Sequence, residues 1–248
     1  MSDNALTSSF FIGWDFGGWN CDQNSKSRDA LVIFDAGLKF VGQPWRGNLR
    51  TTINAATDSP DWIGRLFALC QAKAPMDARI TLAIDTPLGF SEGFVRLVTQ
   101  QGAAGEIGSS STNPYLFRQT ERFLFERGLK PLSAIKDMIG SQATKGMHAL
   151  ARFAPQVPRC GVWTDGARLT AIEAYPSACK HSATVRALQQ SLGELAHDDL
   201  DDALTCALVA HLFDRQAVVL IAPGADVPVS EGWIWVPGDV FQQPKENC

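Results

Sequence analysis

A run of aspartates at residues 198–202 is the part of the sequence best suited to metal or acid–base chemistry. Four of these five positions are Asp, and apolar residues then recur at helical spacing from Ala203 to Leu212. The pattern predicts a buried helix that runs to about Asp214, with the acidic residues in its first turn. Asp is favoured at helix starts, which explains one or two of the four. Because like charges one turn apart repel, we interpret the run as a carboxylate cluster for a divalent cation, with helix capping as the alternative.

Two further aspartates stand where predicted buried strands end. Asp15 and Asp85 each close a short apolar run and are followed by glycine or proline. Ligands bind at strand ends in open α/β sheets, so both carboxylates are candidate site residues. Gly17 and Gly18 come just after Asp15 and would let the backbone approach a ligand, which makes them candidate substrate contacts. The alternative is that these aspartates cap turns.

The predicted elements follow an order that indicates an α/β fold. Three antiparallel strands are followed by a helix, a strand, a helical insertion at 90–160, another strand and the acidic helix. The predicted strands are 10–15, 30–35, 38–42, 79–85, 160–163, 168–175, 217–222 and 232–236, and 43–56 is predicted as a loop. The predicted helices are 59–70 with Ser59 as N-cap, 92–101, 117–126, 135–153, 183–192 and 198–214. The order resembles that of a ribonuclease H-like mixed sheet flanked by helices, in one domain spanning 1–248.

This fold resemblance implies a particular site. In ribonuclease H-like folds the first and fourth strands are neighbours, and the late helix crosses near their ends. The resemblance implies that Asp15, Asp85 and Asp202 are metal ligands, with Asp199 close to them and Glu173 as a further catalytic candidate. Carboxylate oxygens suit Mg²⁺ or Mn²⁺, and two such ions about 4 Å apart stabilise the attacking and leaving oxygens in phosphodiester cleavage.

Five stretches of the chain resemble the domain-of-unknown-function 429 family, which is described as predicted nucleases of ribonuclease H-like fold. They are Gly13-Trp14-Asp15-Phe16-Gly17-Gly18-Trp19, Ala83-Ile84-Asp85-Thr86-Pro87-Leu88-Gly89, Phe117-Arg118-Gln119-Thr120-Glu121-Arg122, Ile172-Glu173-Ala174-Tyr175-Pro176-Ser177 and Asp199-Leu200-Asp201-Asp202-Ala203-Leu204. The resemblance implies the fold directly and nuclease activity by analogy with the fold. The spacing of Asp199 and Asp202 also resembles the late-helix pair of Holliday-junction resolvases.

Two acidic residues depart from the pattern of those nucleases. Asp85 stands where they usually carry Glu and is one methylene shorter, so a metal would sit closer to the strand. Glu173 has no counterpart in the simplest ribonuclease H arrangement, and a buried ion pair with Arg118 or Arg122 is its alternative role. Asp198 and Asp201 are expected to be solvated capping residues.

Positive charge is concentrated in one segment of a weakly acidic chain. The net charge is −4, but residues 113–159 carry eight basic and three acidic residues, which leaves −9 on the rest. A basic segment beside an acidic cluster suits a metal-dependent enzyme that acts on phosphates. Arg118 and Arg122, one turn apart, are therefore candidate phosphate contacts, and ion pairing along a helix with Glu121 and Glu126 is the alternative.

Composition places the chain among ordinary globular proteins. It has 248 residues, 45% of them hydrophobic and 19% charged, and no apolar run approaches the roughly 20 residues that span a bilayer. We see no secretory signal and no CxxC pair among the six cysteines. We therefore expect a cytoplasmic protein with reduced thiols, no membrane partner and no zinc site.

The sequence supports three functions. The first is a metal-dependent nuclease or phosphodiesterase that takes nucleic acid or another phosphate-containing substrate. The second is a nucleotide-phosphate-binding, ATPase- or kinase-like protein, since such proteins also place an Asp before glycines, although they duplicate the fold. The third is a binding module without catalysis. Oligomeric state is open: Trp233 and Trp235 in the tail strand suit either a homodimer contact or core packing.

Overall fold

The computed structural model describes residues 8–190, 192–193 and 195–241. Within this part the chain has an α/β architecture, with helices on both faces of a mixed sheet. The strands are β1 (Ser9–Asp15), β2 (Asp29–Asp35), β3 (Trp45–Gly47), β4 (Arg79–Asp85), β5 (Gln156–Arg159), β6 (Val162–Thr164), β7 (Leu169–Ala174) and β8 (Ile234–Trp235). The helices are α1 (Arg50–Ala55), α2 (Ser59–Leu69), α3 (Glu92–Gln100), α4 (Gln119–Phe125), α5 (Gly140–Phe153), α6 (Pro176–Cys179), α7 (Ala183–Gln189) and α8 (Asp198–Arg215). Short 3₁₀ helices lie at Cys21–Gln23, Ser110–Thr112, Ala217–Val219, Val229–Glu231 and Gly238–Phe241.

The sheet has the strand order β3-β2-β1-β4-β7-β6-β5, and β8 pairs with the carboxyl end of β7. β1 is antiparallel to β2 and parallel to β4, and β4 is parallel to β7. The register pairs Asp15 with Asp85 directly. The prediction that the first and fourth strands are neighbours is therefore confirmed.

Alternating side chains of β1 build two cores. Ile12 and Trp14 pack in one core with α2 and α5, and Phe11 packs in the other with α8. Gly13 lies where α8 crosses: a Cβ on Gly13 would stand 1.8 Å from the carbonyl oxygen of Ala203. α8 can approach β1 this closely because Gly13 has no side chain, which brings the acidic start of the helix to the end of the strand.

The third strand differs from its prediction. Residues 38–42 make only a single bridge, between Phe34 and Phe40, and the strand that pairs with β2 is β3. Leu38 and Gly42 both have a left-handed backbone, with φ of 58° and 77°, which breaks a continuous strand. The predicted loop at 43–56 therefore contains β3 and α1.

Helix boundaries also differ from prediction. The N-cap of α2 is Asp58, whose side chain accepts a hydrogen bond from the backbone N–H of Asp61, so the predicted Ser59 cap is wrong by one residue. α4 begins at Gln119, two residues after the predicted start. α5 begins at Gly140 instead of residue 135, because Met138 has a left-handed φ of 56°.

The carboxyl-terminal part and the insertion contain the other differences. The apolar run predicted as a strand at 217–222 is a 3₁₀ turn followed by a single bridge from Leu220 to Pro237. The insertion at 90–160 holds three helices and the unpredicted strand β5. Trp233 and Trp235 are each only 2% exposed and lie in the core, as the packing interpretation expects.

Five of the six cysteines lie in the described part of the chain. Cys21, Cys70, Cys160, Cys179 and Cys206 are buried free thiols, and Cys248 lies outside the described residues. No described helix combines the length and apolar character that a bilayer crossing requires.

Candidate active site

Asp15 and Asp85 lie side by side at the carboxyl ends of two parallel strands in the centre of the sheet. Alternation along β1 and β4 places both on the face that α8 covers, because Phe11 and Ala83 pack there. Asp15 is buried and Asp85 is half-buried. Burial raises the pKa of Asp15 well above its ordinary value, and the charges of Asp85, Asp202 and Asp199 raise it further. Burial, together with repulsion from Asp202 and Glu173, raises the pKa of Asp85 to about 8.

The first turn of α8 adds Asp199 and Asp202 to this pair. The backbone N–H of Asp199 donates to Nδ1 of His197, the N-cap, at 3.1 Å. This cap was missed from the sequence, where His197 is an isolated histidine before four aspartates. Asp198, in the same turn, is exposed as expected. The charges of Asp85, Asp202 and Asp199 all act on Asp15, so the four aspartates proposed for the site are neighbours.

The four aspartates differ in their partners. Asp199 accepts 2.6 Å and 2.9 Å hydrogen bonds from Nε of Arg46 and the backbone N–H of Arg28. Asp202 forms a 2.8 Å ion pair with Lys180, and burial nevertheless raises the pKa of Asp202. Asp15 and Asp85 form no ion pair among the residues that the structure describes, although the charge of Lys180 acts on Asp85. These two carboxylates are therefore the ones free to bind a cation.

The donor set fits a divalent cation in part. Within the described ranges, no group of three or more His, Cys, Asp or Glu side chains is arranged to hold a metal ion. The predicted convergence of Asp15, Asp85 and Asp202 on one point is thus not seen, because Lys180 holds Asp202. The adjacent pair Asp15 and Asp85 supplies hard oxygen ligands whose mutual repulsion a bound cation would relieve.

Glu173 lies on the other face of the sheet from this pair. Its neighbours Ile172 and Ala174 pack on the α8 side, so alternation along β7 directs Glu173 away from it. Its two carboxylate oxygens accept 2.6 Å and 2.8 Å hydrogen bonds from Arg118, and one also accepts from the backbone N–H of Leu88. The alternative role as the buried partner of an arginine is the one that the structure shows.

Arg118 is enclosed and not placed to meet a substrate. It is 2% exposed and forms ion pairs with Glu121 and Glu173 at 2.9 Å and 2.6 Å. It also donates to the carbonyl oxygen of Glu231. The expected phosphate contact of Arg118 is therefore corrected to a structural role. Arg122 is half-buried and donates to the carbonyl oxygen of Asn113 at 3.1 Å.

Gly17 is buried and Gly18 is half-buried in the segment that joins β1 to the turn at Trp19. The backbone N–H of Gly17 donates to Oδ1 of Asp29 at 3.0 Å, and both carbonyl oxygens accept from Lys145. A Cβ on Gly17 would stand 2.5 Å from Cys21, so close packing explains this glycine. The expected substrate contacts of these glycines are thus replaced by contacts within the chain.

A buried ion pair between Lys145 and Asp29 holds this turn, and sequence reasoning missed it. Both side chains are 0% exposed. Asp29 also accepts from Nε1 of Trp14 at 3.2 Å and from the backbone N–H of Leu49 at 2.5 Å. The two residues are 116 positions apart, so no local pattern links them.

A cleft of about 380 Å³ opens beside Asp85. It lies between the strand ends and the segment at 130–142 of the insertion. It is lined by Phe16, Asp85, Thr86, Pro87, Lys130, Pro131, Leu132, Ile139, Gln142, Glu173, Ala174, Tyr175, Ser177 and Ile234. The free carboxylate of the site is therefore reachable from a pocket large enough for a small molecule.

Comparisons with protein-family models, curated proteins and solved structures found no match for this chain. The class that the fold and the site define is an α/β protein with a carboxylate pair at the ends of its central parallel strands. Any function has to be argued from that geometry.

Proposed function

We propose that this protein has a ribonuclease H-like fold and hydrolyses phosphodiester bonds with a divalent cation held by Asp15 and Asp85. Along the strand order β3-β2-β1-β4-β7, the strands β1, β4 and β7 are parallel to one another and β2 is antiparallel to them. This arrangement supports the fold assignment. The crossing of α8 over β1 at Gly13 supports it further. Membership of the domain-of-unknown-function 429 family is part of the same proposal.

The observation that carries the proposal is the adjacent, unpaired pair of carboxylates. Burial and neighbouring acids raise the pKa of both carboxyl groups, with Asp85 acting on Asp15, and Asp202 and Glu173 acting on Asp85, so their ionised form is costly. A divalent cation removes that cost. All the donors are carboxylate oxygens, which favours Mg²⁺ or Mn²⁺ over softer metals.

Each acidic residue has a distinct role in this proposal. Asp15 and Asp85 hold the cation, which when bound supplies Lewis-acid stabilisation of phosphate charge. Asp202 lies beside the pair, and its raised pKa suits a general base that takes a proton from water. Lys180 and Arg46 orient Asp202 and Asp199 and limit the negative charge of the cluster.

One observation favours a binding module without catalysis as the second candidate. Basic side chains already neutralise two of the four acids, Asp199 and Asp202. The nucleotide-phosphate-binding alternative has less support, because the backbone N–H of Gly17, which would contact a phosphate, donates to Asp29.

The test is cation binding by wild-type protein and by the variants Asp15→Asn, Asp85→Asn and Asp198→Asn. Calorimetry and thermal melting with Mg²⁺ and Mn²⁺ should show binding and stabilisation for wild type. Asp198→Asn is the matched control, since Asp198 is an exposed acid of the same helix. We expect Asp15→Asn and Asp85→Asn to weaken binding by about tenfold or more.

Hydrolysis of bis-p-nitrophenyl phosphate and of labelled oligonucleotides completes the test. The proposal predicts cation-dependent cleavage that both site variants abolish and Asp198→Asn retains. Absence of binding and cleavage at millimolar cation in wild type would leave the binding module as the better explanation.

A further inference from the structure

We propose that the cleft beside Asp85 binds a single unpaired nucleotide, with the base inside the cleft and the phosphate near Asp85. This inference rests on the proposed hydrolysis and names its substrate class. The inference comes from four features that lie together. They are an apolar, partly aromatic cavity, the unpartnered hydroxyl of Thr86, Lys130 in the lining and the free carboxylate of Asp85.

The size of the cleft suits one nucleotide. Its volume of about 380 Å³ lies near the lower end of small-molecule sites, which hold about 300–1,000 Å³. A base pair within a duplex would not fit such a pocket, so a nucleotide has to be unpaired to enter it. The substrate is therefore a phosphodiester whose nucleotide is unpaired, either a small diester of one nucleotide or an unpaired position of a single strand.

The walls of the cleft suit a flat aromatic ring. Most of its lining is apolar, with the rings of Phe16 and Tyr175 among the contributors. Leu132 lines the cleft and is 56% exposed, although a leucine gains nothing from exposure to water. A base that covers Leu132 would remove this apolar surface from water, and stacking on aromatic side chains contributes about 1–3 kcal/mol per base.

A buried polar atom in the wall has no partner within the protein. Oγ1 of Thr86 has no hydrogen-bond partner among the described residues, and Thr86 is only 4% exposed. An unsatisfied buried hydroxyl costs free energy unless a ligand completes it. The other acid of the cleft, Glu173, is already saturated by Arg118. Thr86 lines the cleft, and rotation of its side chain would turn the buried hydroxyl toward the edge of a base.

The position of the phosphate follows from charge. The hydroxyl of Tyr175 donates to the carbonyl oxygen of Lys130 at 3.0 Å, which fixes the backbone of Lys130 against the end of β7. The side chain of Lys130 lines the cleft and is exposed, so its ammonium can meet a phosphate. A nucleotide held by its base in the cleft would then present its phosphate between Lys130 and the cation at Asp85.

The experiment separates base recognition from cation chemistry. Binding of adenosine, adenosine 5′-monophosphate and ribose 5-phosphate is measured by calorimetry in EDTA and again with Mg²⁺. The variants are Thr86→Val and Leu132→Ser. Thr99→Val and Val218→Ser are matched controls, since Thr99 and Val218 are exposed and lie outside the cleft.

We expect adenosine and adenosine 5′-monophosphate to bind in EDTA and ribose 5-phosphate to bind at least about tenfold more weakly. Thr86→Val should weaken adenosine binding by about fivefold, since one hydrogen bond is lost, and Leu132→Ser by a similar factor. Because Leu132 is exposed, its variant tests the cleft even if Thr86→Val does not fold.

Competition experiments and the variants Asp15→Asn and Asp85→Asn complete the design. A single strand of about eight nucleotides should compete with adenosine, and its duplex should not. Competition by the free nucleotide alone would identify a small phosphodiester of one nucleotide as the substrate, and competition by both would identify a nuclease of unpaired strands. Equal binding of ribose 5-phosphate, or no effect of either cleft variant, overturns this inference. If Mg²⁺ changes no binding constant of the wild-type protein but adenosine still binds, the proposed hydrolysis alone is overturned.

Discussion

Asp15 and Asp85 are held in an environment that opposes their own charge. Each is an acid next to another acid, at the end of a strand where the ion pairs of Lys180 and Arg46 go to Asp201, Asp202 and Asp199 instead. Strand geometry makes the pair unavoidable, since parallel register sets the two residues opposite one another. Such strain in a fold is typical of a site that binds a cation, because a structural role would be served as well by neutral side chains.

Asp85 should make the cation-free protein less stable as pH rises. Its pKa of about 8 in the folded state exceeds the ordinary 3.8, so between these values the folded state holds a proton that the unfolded state has lost. The free energy of unfolding therefore falls from about pH 4 to about pH 8 and flattens above it. Asp85→Asn removes this titration, so its melting temperature should fall less than that of wild type over pH 5–8.

The measurement is thermal melting in EDTA, with Asp198→Asn as control. At pH 8 we expect the free energy of unfolding of Asp85→Asn to exceed that of wild type by about 1–3 kcal/mol, which corresponds to a few degrees in Tm. At pH 5 the two proteins should be closer in stability. Parallel pH profiles for wild type and Asp85→Asn would show that the burial of this carboxyl has no such cost. Adding Mg²⁺ should raise the melting temperature of wild type at pH 8 more than at pH 5, since the cation binds the ionised form.

The contact between α8 and β1 positions the acidic cluster. The body of α8 is buried from Ala203 to Ala210, and this apolar helix lies directly over Gly13. The helix start can reach Asp15 only while that contact is close. The site therefore depends on a glycine that never touches a ligand.

Gly13→Ala should destabilise the fold and separate the aspartates. Its Cβ would stand 1.8 Å from the Ala203 carbonyl oxygen and 2.4 Å from the Ala207 nitrogen, both backbone atoms that cannot rotate away. We expect a loss of about 3 kcal/mol or more, measured by urea denaturation, and loss of Mg²⁺ binding.

Gly64→Ala in α2 is the matched control. A Cβ there meets no described atom within 4 Å, so alanine should stabilise the helix by about 0.5–1 kcal/mol. Equal effects of the two substitutions would mean that α8 is not packed as closely on β1 as this structure has it.

Arg118 joins three distant parts of the chain. It is the N-cap residue of α4 in the insertion, forms an ion pair with Glu173 of β7 and donates to the carbonyl oxygen of Glu231 in the tail. The carboxylate of Glu231 in turn accepts from the backbone N–H groups of Glu92 and Gln119. These contacts hold the insertion over the end of the sheet, where it forms one wall of the cleft.

Removal of this arginine should weaken the whole fold. Arg118→Met leaves Glu121 and Glu173 buried without a cation, which costs about 3–5 kcal/mol in the free energy of unfolding. Arg65→Met is the control, because Arg65 forms a solvent-accessible ion pair with Asp61, and such pairs contribute little to stability. Similar losses in urea denaturation of both variants would contradict the role given to Arg118.

Local sequence patterns predicted the elements that carry the site. Apolar runs that end in Asp15 and Asp85, and the apolar body of the helix after His197, have patterns that need few distant contacts to be recognised. The errors fall where backbone conformation depends on contacts. Leu38, Gly42 and Met138 adopt left-handed angles, and 217–222 is apolar but forms no strand.

The partners of the charged residues depended on packing across long distances in the chain. Glu173 and Arg118 are 55 residues apart, and Arg46 and Asp199 are 153 apart, so no spacing rule links them. Residue types alone therefore indicated seven acidic or basic candidates and did not give their partners. Folding divided them by burial and strand alternation: Asp15 and Asp85 stay unpaired within the described chain, and Arg118 and Glu173 neutralise each other in the interior.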